Sequence, residues 1–134
     1  MAECTKLAES FSEYLLEQVR DKIDDGEYNG YVTIYDASNV TLVSVDLNDP
    51  SFGAASSYAN VSTIEADDTS LEGTADADGT ADHYWAFDSN GNAVIGGTCS
   101  TDSEASCMVL NTLEIVEDAS VVINSWTITL PYDD

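Results

Sequence analysis

A chain of 134 residues with 43% apolar side chains is long enough for one domain with a single modest core. Its charge is far from balanced: Lys6, Arg20 and Lys22 stand against 26 acidic residues, a net charge of −23. Such a surface repels phosphates, which excludes nucleic acid and anionic membranes as direct partners.

The acid load fits two settings, plain solubility or a high-salt medium in which counterions screen the repulsion. No apolar run reaches the roughly 18 residues of a membrane span. The N-terminus lacks the basic, apolar and small-residue zones of a signal peptide, so a soluble chain made in a cytoplasm is expected. Cys4, Cys99 and Cys107 have no CxxC spacing, so zinc is not expected. Cys99 and Cys107 fit either a small-loop disulfide or separate buried thiols.

Residues 5–24 predict a helix. Ala8, Phe11, Leu15, Val19 and Ile23 recur every three or four residues, and Leu7 and Leu16 widen the stripe. Thr5 or Ser10 is a candidate cap, and Asp25-Gly26 a stop. The stripe fits two arrangements, over an open sheet face of this chain or against a neighbouring subunit. In the second, Phe11, Leu15, Val19 and Ile23 form an assembly surface.

Beyond the helix the texture turns to short β segments divided by Asn, Asp, Ser and Gly. Strands are expected at 31–35, 40–47, 58–66 and 70–75, with Phe52 as a buried anchor in the thin loop after Asp49-Pro50. A hairpin follows, with Asn90-Gly91 read as a two-residue type I′ turn. Counting back from it sets Phe87 opposite Val94, Trp85 opposite Gly96 and Tyr84 opposite Gly97, with Trp85, Phe87 and Val94 taken as the core face. Strands at 107–115 and 121–130 close the chain. In the last, Val121 and Ile123 are out of phase with Trp126, Ile128 and Leu130 unless a bulge near Asn124-Ser125 realigns them.

The expected fold is mainly β: an antiparallel sandwich or jelly roll at 27–134, preceded by an amphipathic helix at 1–26. Its core is expected to hold Phe52, Trp85, Phe87, Val94, Trp126 and Ile128. No linker or fixed-period repeat is visible.

Chemistry-bearing patterns are sparse. Asp76, Asp78 and Asp82 surround a glycine like part of a calcium loop, but the stretch is too short for an EF-hand and lacks its closing Glu. They are weak candidates for a loosely bound cation; no dedicated cofactor is expected. His83, the single histidine, has no nucleophile elbow such as Gly-x-Ser-x-Gly to serve, so a catalytic role is not expected.

Four stretches carry a resemblance. They are Leu47-Asn48-Asp49-Pro50-Ser51-Phe52-Gly53-Ala54-Ala55-Ser56, Gly79 to Gly91 with its His83-Tyr84-Trp85-Ala86-Phe87 centre, Val94-Ile95-Gly96-Gly97-Thr98, and Leu110 to Ile115 leading to Ser125-Trp126-Thr127-Ile128-Thr129-Leu130-Pro131. In that order, after a short helix, they resemble a family of small proteins encoded among the virion genes of tailed phages and prophages. The resemblance implies a non-enzymatic β-rich structural protein of the virus particle. Within that class a capsid decoration (cement) protein is expected, perched on the major capsid protein or another virion protein as a dimer or trimer. The extreme acidity departs from the family's usual composition and suits a halophilic host. A tail, neck or fibre-attachment component is the alternative within the virion, and a carbohydrate- or ion-binding β-sandwich module the alternative outside it.

Overall fold

A computed structural model of the chain describes residues 7–66, 71–102 and 108–132. One helix, α1 (Glu9–Ile23), precedes β1 (Tyr31–Tyr35), β2 (Thr41–Asp46), β3 (Ser56–Tyr58), β4 (Val61–Glu65), β5 (Glu72–Thr74), β6 (Gly79–Thr80), β7 (His83–Phe87), β8 (Ala93–Ser100), β9 (Met108–Leu110), β10 (Glu114–Ile115) and β11 (Ser120–Pro131). The protein is mainly β with one helix near its N-terminus, the class predicted from the short alternating segments. The Thr5 cap and the cysteines Cys4 and Cys107 fall outside the described residues.

The main sheet has the order β2-β1-β7-β8-β9-β11-β4-β3, with β5 also paired to β11, while β6 and β10 form a separate two-stranded sheet. The β8–β9 pair is parallel, so the sheet is mixed rather than antiparallel throughout. It curls back on itself. Asp76 N–H, just after β5, donates to Leu42 O of β2 at 2.7 Å, and a Cβ on Gly73 would lie 2.6 Å from Ser44 O. The curl encloses a core that includes Val32, Ile34, Val43, Leu110, Ile123 and Ile128.

β11 is the spine of this arrangement, taking β5, β4 and β9 along its length. Its register shifts between Ile123 and Ser125, where the sequence phase calls for a bulge. Val121, Ile123, Trp126 and Ile128 are all buried as a result, and Leu130 packs against them.

Two turns differ from the sequence expectation. The strand expected at 58–66 is a hairpin: Tyr58 pairs with Val61 across Ala59 and Asn60, both left-handed at φ 51° and 66°. That is the two-residue geometry expected at Asn90-Gly91. At Asn90-Gly91 the loop has three residues instead. Asp88 N–H donates to Asn92 O at 3.0 Å, Gly91 N–H donates to Asp88 O at 3.1 Å, and Gly91 alone in this turn is left-handed, at φ 86°. The Asp88 side chain explains the choice, because its Oδ1 accepts both Asn90 N–H (3.0 Å) and Asn92 N–H (2.9 Å). A bulge absorbs the extra residue. Phe87 therefore faces Ala93, not Val94, while Ala86 with Ile95, Trp85 with Gly96, and Tyr84 with Gly97 pair in the expected register.

The helix begins at Glu9, after an Ala8 that offers no side-chain cap, and Ser10 lies inside it. It packs on β4, β11, β8 and β3. Its buried residues are Ser12, Leu16 and Ile23, with Val19 partly buried between them. This seat is rotated from the apolar stripe, and Phe11 is left 49% exposed, stacked on Tyr14 at 6.1 Å. A chain of hydroxyls sets the rotation. Ser12 and Ser62 share a hydrogen bond, Ser62 shares another with Ser57, and Ser57 donates to Glu13. One further edge of the helix holds the loop at 51–55: Glu17 accepts Ala55 N–H at 2.9 Å and Asp24 accepts Ser51 N–H at 3.1 Å. Ile23 is fully buried within the chain and Leu15 is half-buried, so the four-residue assembly surface expected on this helix does not exist as such.

Candidate functional site

The pairing of β1 with β7 decides which face of the hairpin is inside. Val32 lies opposite Ala86 and Ile34 opposite Tyr84, and all four are buried. Side chains alternate along a strand, so Trp85 and Phe87 must face the other way. Trp85 is 45% exposed and Phe87 half-buried. This overturns their assignment to the core. Val94, freed from Phe87 by the bulge, is half-buried and packs against the core, while Phe52, Trp126 and Ile128 are buried within it.

The outward face so created has three rows of four residues: Asp46, Tyr31, Phe87 and Ala93; Ser44, Thr33, Trp85 and Gly96; Thr41, Tyr35, His83 and Thr98. The outer rows each hold a cross-strand aromatic stack, Tyr31 on Phe87 at 5.1 Å and Tyr35 on His83 at 5.3 Å. In the middle row Thr33 and Ser44 share a hydrogen bond at 3.0 Å. Beside them the indole of Trp85 lies on the backbone of Gly96. A Cβ there would fall 2.7 Å from Trp85 Cδ2 and 2.8 Å from Cε3. One ring face is against the sheet, so the exposed area is the other.

Charge makes this face unusual for the molecule. Of its twelve positions Asp46 alone carries a carboxylate, in a chain that bears 26 acidic residues. At the opposite end of the face Asp82 Oδ2 meets His83 Nδ1 at 2.8 Å. An aromatic and hydroxyl-bearing surface without charge at its centre stands out from an acidic surround.

In the acidic stretch at 76–82 each carboxylate-bearing residue is engaged separately. Asp78 Oδ1 accepts Glu117 N–H at 2.7 Å, Asp82 turns to His83, and Asp76 is held through its backbone to Leu42. Among the described residues no three His, Cys, Asp or Glu side chains gather in a metal-binding group. A cleft of about 480 Å³ between the 50–54 loop and β3–β4 has Glu65 as the sole titratable residue in its lining. Among the described residues no helix is long and apolar enough to cross a membrane.

Two carboxyls have altered acidities. Asp88 is held below the usual carboxylate range, chiefly by the Asn92 N–H, with the Asn92 amide, the Asn90 N–H and the Lys22 ammonium at 3.7 Å assisting. Asp24 is pushed up by burial, against the hydrogen bonds from Ser51, with Asp49 adding repulsion. Both sit at junctions of α1 with the sheet: Asp88 ties Lys22 to the hairpin turn, and Asp24 ties the helix end to Ser51.

Sequence reasoning named Trp85 and Phe87 but missed Tyr31, Thr33 and Tyr35 as their partners. The signal was present in 31–35, where tyrosines alternate with Val32 and Ile34, but only the pairing joins the two alternations. No family model, curated protein or solved structure matches the chain.

Proposed function

We propose that this chain is a non-enzymatic structural protein of a tailed-virus particle, a decoration protein seated on the capsid surface. The observation that carries the reading is where the four family-like stretches meet. Phe52 from the first and Tyr84 from the second both pack edge-on against Trp126 from the fourth, at 4.7 Å and 5.2 Å. Gly97 from the third makes room for the tyrosine, since a Cβ there would lie 2.8 Å from Tyr84 Oη. The stretches that carry the resemblance are therefore one packed unit around one indole, which supports treating them as a single signature rather than separate turn motifs.

The exposed Phe11–Tyr14 pair on the helix is an aromatic patch available for contacts on a strongly acidic body. The capsid protein and further copies of the chain are the partners this reading supplies. The test is quantitative mass spectrometry of purified particles from the strain that encodes the chain. Copies in fixed ratio to the major capsid protein are expected. A few copies per particle would assign the chain to the tail or neck, and absence from particles would overturn the virion reading.

A further inference from the structure

We propose that the outward face of β1, β7 and β8 binds an uncharged saccharide, with Trp85 as the stacking platform. The inference goes beyond the virion reading and stands on the face itself, whatever particle or surface carries the chain.

The platform has the form that a sugar ring requires. A pyranose presents a flat face of C–H groups bordered by hydroxyls, with no charge. Trp85 offers a flat π face that is fixed from below by Gly96 and 45% exposed above. The stacks Tyr31–Phe87 and Tyr35–His83 stand on either side of it along the strands. From Phe87 to His83 the strand β7 runs about 13 Å, at roughly 3.3 Å per residue. That length suits a short oligosaccharide better than a single ring. Hydroxyl groups border the aromatic rows at Ser44 and Thr41 on β2, where sugar hydroxyls need hydrogen-bond partners. Asp46 and the His83–Asp82 pair add acceptors at the two ends of the face.

Charge complementarity selects an uncharged ligand. The body of the protein, at −23, repels anions such as phosphate, nucleic acid and acidic glycans. A cationic ligand would be drawn to the many carboxylates elsewhere on the body, and the middle row offers it none. A second copy approaching face to face would bring its own charge of −23 with it. A neutral ligand meets none of these obstacles.

The experiment titrates the full-length chain with maltohexaose, cellohexaose and chitohexaose, with polygalacturonate as the anionic counterpart. The readouts are isothermal titration calorimetry for the parent chain and every variant and, in the parent chain, quenching of indole emission by acrylamide. Trp126 is 1% exposed, so a change in quenching reports on Trp85. At least one neutral hexasaccharide is expected to bind saturably and to shield the indole, with the same affinity at about 0.1 M and about 1 M salt. Trp85→Ala, checked for an unchanged circular dichroism spectrum, is expected to weaken binding about tenfold or more, and Trp85→Tyr to retain part of it. If Trp85→Ala misfolds, saturable shielding in the unaltered chain still decides the matter. No binding to any of the three, binding that survives Trp85→Ala, or preference for polygalacturonate would overturn the proposal. So would concentration-dependent self-association that shields the indole without sugar. Particle copy number is independent of all these results, so failure here leaves the virion reading untouched, and the reverse also holds.

Discussion

Trp126 Nε1 donates to Tyr84 Oη at 2.8 Å, and the two rings meet edge-on in the centre of the core. This bond solves the problem of burying an indole N–H, which would otherwise be left without a partner. Trp126→Ala should cost about 3–5 kcal/mol, as the loss of a large core aromatic does. Tyr84→Phe keeps the ring and strands the N–H, for an expected cost of about 1–3 kcal/mol. Denaturant midpoints measure both. Equal stability of Tyr84→Phe and the parent chain would show that water or another group satisfies the indole.

The two shifted carboxyls act on stability in opposite directions. Asp88 is depressed in the folded state, so its contribution is present above the unfolded value and disappears as pH falls through the folded value. Asp24 is raised, so its contribution is present below the unfolded value and is lost as pH rises through the folded one. Asp88→Asn should therefore destabilise the chain near neutral pH and flatten the acid limb of its stability curve. Asp24→Asn, which keeps an acceptor for Ser51 N–H, should leave neutral-pH stability unchanged or slightly higher. Thermal melts across the acidic range test both. A steeper acid limb in Asp88→Asn would contradict the assignment.

Leu16 and Ile23 on α1 are part of the core, and each buried aliphatic side chain of this size contributes about 1.5–3 kcal/mol. The same helix holds the 51–55 loop that places Phe52 against Trp126. Deletion of residues 1–26 should therefore unfold or severely weaken the β domain, and Ile23→Ala should cost about 2–5 kcal/mol. Phe11→Ser and Tyr14→Ser alter only exposed rings, so stability should stay within about 0.5 kcal/mol while any contact made by this patch is lost. Circular dichroism of the truncated chain separates these cases. A cooperative melt near that of the full chain would make the helix an appendage.

On the proposed virion role, neighbouring copies each carrying −23 would repel one another on the particle, and screening would lower that cost. The Debye length falls from about 10 Å at 0.1 M salt to about 3 Å at 1 M. Attachment to particles should strengthen towards molar salt, and low salt should shed the protein. Dialysis of particles against decreasing sodium chloride, followed by assay of the retained chain, measures this. Retention that falls as salt is added would mean that a basic capsid patch holds the acidic surface.

Much of the local design was legible in the residues. Tyr31 to Tyr35 forms the strand its alternation predicts, and the phase break between Ile123 and Trp126 marks a real bulge. The pairs Tyr84 with Gly97 and Trp85 with Gly96 follow from the position of the turn, even though Asp88 changes its type. Such features depend on neighbours in sequence, where side-chain period and turn chemistry act directly. Sidedness does not. A strand with Tyr84 and Ala86 on one face and Trp85 and Phe87 on the other has two plausible interiors. Its pairing with Val32 and Ile34 buries the first pair and turns the larger aromatics outward. The helix shows the same division: its period is written in the residues, but the hydroxyls of Ser57 and Ser62, some fifty residues away, draw Ser12 inward and leave Phe11 exposed. The sequence by itself determined the strands, their phases and the bulge. Only long-range pairing decided which aromatic rings became core and which became a surface.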